Sequence, residues 1–190
     1  MPNHLQVDNE MVFYGSPTHP RGMGPLMRLC LHYGIELWFI PQSEPWRNGV
    51  VEQFNNHYQQ KFLNRVSMQT ADELRQGALV FEQKHNSRYR YSKLNGKTPL
   101  EALDHANKKP LRFPPRQPVP ETPLKKPETG TYHLIRFIRS NCKLDIFGER
   151  FQVSPDLQYE YVVATINVEE QKLKVFHEQF QVDEFDYKLR

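Results

Sequence analysis

Cysteine is scarce. There are two in 190 residues, Cys30 and Cys142, far apart in segments that read as different domains. That argues against a disulfide, and neither cysteine has the spacing of a metal ligand. No apolar run approaches the ~18–20 residues a membrane span requires, so no membrane partner is expected. The start, "MPNHLQVDNE", has no basic or apolar leader region, so a secretory signal is not expected and a reducing cytoplasm fits. The eight histidines are scattered without His-Glu-x-x-His spacing, which argues against zinc. A nucleophile elbow and a phosphate-cradling glycine loop are also missing. Apolar residues make up 38% and mean hydropathy is −0.74, enough for a lean core.

What is present is uneven. Net charge is +3, but residues 1–52 carry −2, residues 53–130 carry +7 and residues 131–190 carry −2. Positive charge gathered in the middle fits either a track for a polyanion or a solvated helical surface. Seven of the fifteen prolines lie between Pro110 and Pro127. Proline fixes φ and removes a donor, so this stretch reads as an extended basic linker rather than helix or inner strand. Three regions result: 1–106, a linker over 107–130, and 131–190.

In the first region, "HLQV" (4–7) and "IELWFI" (35–40) read as short buried strands. Leu26, Leu29, Cys30 and Tyr33 trace one helical face closed by Gly34, and Val51, Phe54, Tyr58 and Phe62 trace another. "TADE" (70–73) and "TPLE" (98–101) have the spacing of capping boxes. Beyond the linker the period changes to two. "YHLIRFIRS", "KLDIF", "ERFQV", "YEYVVATINV" and "QKLKVFHE" predict five short strands, with a tight hairpin at Gly148. Five strands in so short a stretch predict a small closed barrel.

Two carboxylates stand out. Asp8 ends a strand, where ligands gather in α/β sheets, and Glu52 sits in the first turn of a helix. Together they have the hard oxygen chemistry that suits Mg²⁺. Each also has a plain reading: Asp8–Asn9 as a turn, and Glu52 as an acid favoured by the helix dipole.

Four ordered segments, "VDNEMVF", "LCLHYGIE", "PWRNGVVEQFN" and "NGKTPLEAL", resemble the catalytic core of retroviral integrases and bacterial insertion-sequence transposases. The resemblance covers about residues 4–104. It implies an RNase H-like core with an Asp–Asp–Glu triad, in which Asp8 is the second aspartate and Glu52 the glutamate. It further implies Mg²⁺ or Mn²⁺, DNA strand transfer, a cytoplasmic bacterial setting, and a partner that is DNA plus either further copies or full-length integrase. The fold class expected is α/β, a partial RNase H-like core that is mostly α here, followed by an all-β small SH3-like barrel.

Three departures stand against the pattern. Glu10 follows "DN" where the family often has glycine. The family commonly keeps 35 residues between second aspartate and glutamate, the spacing of Asp8 to Glu44; Asp8 to Glu52 spans 43. Glu52 is preferred because it follows "NG" in a helix, and the turn-rich "YGSPTHPRGMG" accommodates the extra residues. Only seven residues precede Asp8, none acidic, so the expectation is the C-terminal portion of an integrase, inactive alone. The alternative is a non-catalytic DNA-binding or assembly module.

DNA-contact candidates are Arg47 and Asn48 before the helix, Asn56 and Gln59 on the Glu52 face, Lys61 and Arg65 beyond them, and Arg88 and Arg90 in "NSRYRYSKLNGK". Ordinary solvated side chains are the rival reading, and Tyr89 and Tyr91 either stack on bases or pack inward. The acidic-leaning final region favours a protein-contacting or orienting role for its strands.

Overall fold

A computed structural model describes residues 2–16, 18–105 and 124–190 of the chain. The described residues form a mixed α/β structure with two compact units, residues 1–47 with 112–190 and residues 48–111. Most of the expected linker lies outside the described residues.

The first unit is built on a sheet. Strands β1 (His4–Val7) and β2 (Glu36–Phe39) pair in parallel, with His4 opposite Glu36 and Val7 opposite Phe39. Strand β3 (Thr131–Phe137) then adds to β2 in parallel, placing Leu37 beside Tyr132 and Phe39 beside Leu134. From β3 the sheet continues antiparallel through β6 (Tyr161–Asn167), β7 (Lys172–His177) and β8 (Phe180–Asp186). Alternation decides which face is inside. Leu37 and Phe39, Tyr132 and Leu134, Val162, Ala164 and Ile166, and Leu173 and Val175 all point to one core. Helix α2 (Pro25–His32) contributes Met27 and Cys30 to that core, and the hairpin β4 (Lys143–Ile146)–β5 (Glu149–Gln152) contributes Leu144 and Ile146.

Three sequence expectations need adjustment. The five predicted strands form, and β8 is a sixth, but among the described residues they do not close into a barrel. β4 and β5 pair only with each other, and β3 extends the β1–β2 sheet. One parallel strand, β2, lies along the edge of β3 and takes up the hydrogen bonds that closure would have used. On α2 the buried face runs through Met27 and Cys30, while Leu29 is 39% exposed, so the stripe read through Leu29 is offset. No helix was expected between Asp8 and Tyr14, and a short one, α1 (Met11–Tyr14), follows the Asp8–Asn9 turn. The hairpin at Gly148 forms as predicted: Phe147 (φ 50°) and Gly148 (φ 93°) supply the two positive φ values of a tight two-residue turn. Both cysteines are free and buried.

The turn-rich segment after Tyr14 is fastened within the same unit. Arg21 donates to both oxygens of Glu149 at 2.8 Å and lies 4.9 Å over the Tyr187 ring. Tyr14 stacks on Phe147 at 4.3 Å. The first and last parts of the chain therefore share one core.

The second unit is helical: α3 (Gly49–Lys61), α4 (Ala71–Arg88) and α5 (Pro99–His105). Both predicted capping signals act. Thr70 Oγ1 accepts from the Glu73 amide at 3.2 Å. At α5 the box is reciprocal, with the Glu101 amide donating to Thr98 Oγ1 and the Thr98 amide to Glu101 Oε2. The α3–α4 seam is aromatic: Phe54, Tyr58, Phe62, Phe81 and His85 stack with centroid spacings of 5.1–6.3 Å.

Candidate functional site

Because β1 and β2 are parallel, the loops that follow them emerge at the same end of the sheet, the end where α/β sheets gather ligands. Asp8 leaves β1 there, and residues 40–44 leave β2. A side-chain network ties the two loops together. Asn9 Nδ2 donates to the Ile40 carbonyl at 2.7 Å, and the Ile40 amide donates to the Val7 carbonyl at 3.0 Å. Arg136, from β3, donates to Asn9 Oδ1 at 2.8 Å, to the carbonyl of Ile40 at 3.2 Å, and to those of Ile135 and Asp145 at 2.9 Å. Arg136 is 3% exposed, and burial pulls its pKa down to about 10 despite the nearby Asp145 charge. One of the most buried side chains in the sheet is thus a cation that holds the Asp8–Asn9 turn.

Asp8 Oδ1 accepts from the Glu10 amide at 3.0 Å, the hydrogen bond of an Asx turn. Asp8 lines a pocket of about 480 Å³ with Asn9, Glu10 and residues 40–44, and Glu44 is on its wall. Glu44 is buried and held on both oxygens: Tyr161 donates its hydroxyl proton to Oε1 and Arg47 donates to Oε2, each at 2.5 Å. Burial pushes the Glu44 carboxyl up, but the hydrogen bonds from Tyr161 and Arg47 outweigh it and hold the group below its ordinary range.

Glu52 lies in the first turn of α3, exposed, in the other compact unit. Asn56 and Gln59 share its helix and are exposed, as are Lys61 and Arg65, whose Nε donates to the Gln60 carbonyl. Asn48 is the N-cap residue of α3. Arg47 is committed to Glu44 and lies 5.3 Å from the Tyr161 ring centroid. Arg90 is committed to Glu101 and to the Gly96 carbonyl. Arg88 and Lys61 line one shallow hollow with Lys84, a cation the sequence reading did not single out. Tyr91 turns inward and its hydroxyl lies 3.0 Å from His85 Nε2, while Tyr89 packs on His57 at 4.0 Å.

Arg136 was also missed, yet its signal was in the sequence. In "YHLIRFIRS" the inward positions are Tyr132, Leu134, Arg136 and Ile138, so a cation stands where alternation calls for an apolar side chain.

Among the described residues no three His, Cys, Asp or Glu side chains cluster in a way that would hold a metal ion. Asp8 has the right oxygen chemistry for a hard cation, but one carboxylate does not by itself make a complete metal site. No described helix is long and apolar enough to cross a membrane.

Residues 33–99 match a family model described as the integrase core domain. The matched span runs from before β2 into α5, includes both Glu44 and Glu52, and leaves Asp8 outside. No curated protein matches the chain.

Proposed function

We propose that the chain is a portion of a DDE-type integrase or transposase of a bacterial insertion sequence, acting on DNA in the cytoplasm. The observation that carries this reading is the integrase core match over residues 33–99. It is supported by Asp8 standing at the carboxyl end of a parallel strand beside β2. In this reading β1, α2 and β2 belong to an RNase H-like core, and residues 131–190 are its small all-β companion region. Domain borders near residues 106 and 130 follow the proline content. Asp8 and Glu52 are the carboxylates of the triad and would hold Mg²⁺ or Mn²⁺, which would supply electrostatic stabilisation of phosphoryl transfer. Two carboxylates are short of a working set, and no catalytic step is assigned to this pair. It acts with further copies or with full-length integrase. DNA is held by the cations of the helical unit, Lys61, Arg65 and Arg88 with Arg47 and Arg90, and by Asn48, Asn56 and Gln59.

Glu44 is a specific competitor for the role of Glu52. It lines the same pocket as Asp8 and stands at the 35-residue spacing. Against it, both its oxygens already accept strong hydrogen bonds.

Two titrations test the reading on the full chain. Duplex DNA should bind with an affinity that falls steeply with salt, and K61E or R88E should weaken it and flatten the slope. Absence of any binding at low salt would reject the reading. Mn²⁺ binding should weaken in D8N. A matching loss in E52Q assigns the glutamate, whereas a loss in E44Q instead transfers the role to Glu44. DNA binding with no Mn²⁺ response in any variant favours a non-catalytic assembly module.

A further inference from the structure

A second cavity in the sheet unit, about 500 Å³, shares residues 42–44 with the Asp8 pocket and opens toward the β4–β5 hairpin. Its wall carries Arg136, Arg139, Lys143 and Arg150, two acids, Glu44 and Asp145, and the indole of Trp46.

The acids are taken. Glu44 is held by Arg47 and Tyr161, and Asp145 accepts from the Gly148 amide and Gln42 and lies 3.8 Å from Arg150. Of these cations, only Arg150 is matched in return among the described residues, at 3.8 Å from Asp145. Arg139 and Lys143 are exposed and have no carboxylate partner among the described residues. Arg136 is buried, and its hydrogen bonds go to three backbone carbonyls and one amide oxygen, all uncharged. A region whose sequence charge is −2 thus turns a concentrated positive potential into one hollow, the arrangement that attracts anions.

The hollow is too roomy for a bare ion and falls within the ~300–1,000 Å³ of small-ligand sites. At its rim Trp46 is 68% exposed, an unusual position for the largest aromatic side chain. An exposed indole beside unpaired cations is the combination that stacks a base while the cations take its phosphate.

We infer that this cavity is a nucleotide site, with Arg139 and Lys143 contacting a phosphate and Trp46 stacking on the base. The nucleotide is either free or the end of a nucleic-acid strand; the chemistry is shared. The site is lined by residues of the sheet unit alone and stands whether or not the cations of residues 48–111 bind duplex DNA.

The test is calorimetric titration of the full chain at low salt with inorganic phosphate, thymidine 5′-monophosphate and a 5′-phosphorylated oligothymidylate. Arg139→Glu and Lys143→Glu should each weaken nucleotide binding at least about tenfold, as expected for loss of a charged hydrogen bond. Trp46→Ala should weaken both thymidine ligands while leaving inorganic phosphate unchanged. Arg75→Glu, the same charge reversal on the exposed face of α4, should change nothing. Arg139→Gln is the second variant should the reversal disturb folding. Equal affinity for the mononucleotide and the oligonucleotide identifies a free nucleotide; much tighter oligonucleotide binding identifies a strand end. The inference is overturned if neither thymidine ligand binds, or if Arg75→Glu costs as much as Arg139→Glu. It is also overturned if the oligonucleotide binds and both cavity variants leave that binding intact, and in that case the DNA-binding reading of the helical unit survives.

Discussion

Tyr161 donates its phenolic proton to Glu44 across 117 residues of sequence, at 2.5 Å. The contact joins β6 to the loop after β2, so residues 131–190 reach the sheet end where Asp8 emerges. Tyr161→Phe removes one donor from a buried carboxylate and should cost about 1–3 kcal/mol in urea unfolding. Glu44→Gln should cost a similar amount at neutral pH and also change the pH profile. The Glu44 carboxyl is held below its ordinary value, because Tyr161 and Arg47 outweigh the penalty of burial. Its stabilising contribution is therefore full above about 4.5, the unfolded value, and is lost as pH falls through the lower folded value. The glutamine variant should lack that acid-dependent loss.

Arg136 carries a heavier share of the same end of the sheet. Four acceptors depend on it, two of them in the loops after β1 and β2. Arg136→Met keeps the stem and strips the donors, stranding buried carbonyls at about 1–3 kcal/mol each where water cannot replace the donor. We expect a loss of more than about 3 kcal/mol. Arg136→Lys should recover little of it, since one ammonium cannot span a planar fork of acceptors. Equilibrium unfolding of both variants measures the difference. A lysine variant as stable as the parent would show that charge, not geometry, is what the site requires.

Much of this was legible in the sequence, for reasons that can be named. The capping boxes at Thr70 and Thr98 are local, with donor and acceptor three residues apart, and both form. The Phe147–Gly148 turn is local too. What stayed hidden depends on distant pairing. Alternation shows that "YHLIRF" is a strand and cannot show that its neighbour is β2 rather than another strand of the same region. The closed barrel failed at that point. The site divided the same way: Asp8 at a strand end was readable, whereas the Glu44–Tyr161 contact and the Arg136 network join residues 96 to 127 positions apart. Residues 48–111 are compact apart from the sheet unit, so the pairing of Asp8 with Glu52 rests on resemblance.

Two glycines should respond in opposite ways to alanine. At Gly24 an added Cβ would lie 2.8 Å from the Phe13 carbonyl oxygen and 2.9 Å from the Tyr14 carbonyl carbon, both backbone atoms. The start of α2 would have to move off α1, an overpacking that costs about 1–3 kcal/mol. At Gly49, the first residue of α3, an added Cβ meets nothing within 4 Å. There alanine reduces the freedom of the unfolded chain and should stabilise by about 0.4–1 kcal/mol. Thermal unfolding of the pair checks the sign of each.

His85 should make the helical unit sensitive to acid. Its ring is 8% exposed and sits among Phe54, Phe81, Tyr89 and Tyr91. Nε2 lies 3.0 Å from the Tyr91 hydroxyl, and Nδ1 is buried with no hydrogen-bond partner among the described residues. His57 lies 5.6 Å away and Lys61 is close enough to act on it. Burial, and secondarily the neighbouring His57, lowers the His85 pKa; burial and then Lys61 lower that of His57. Both rings therefore favour the neutral form more in the folded unit than in the unfolded chain, which binds protons more readily. Stability is full above the ordinary value of 6.5 and falls as pH drops from there through the folded values. Amide protection factors in α4, which remove the intrinsic pH dependence of exchange, should fall across that window. His85→Phe keeps the ring and removes one titrating group, so its protection should depend less on pH even if the lost Tyr91 contact lowers protection at pH 7. Unchanged acid sensitivity in that variant would place the titration elsewhere, with His57 the next group to replace.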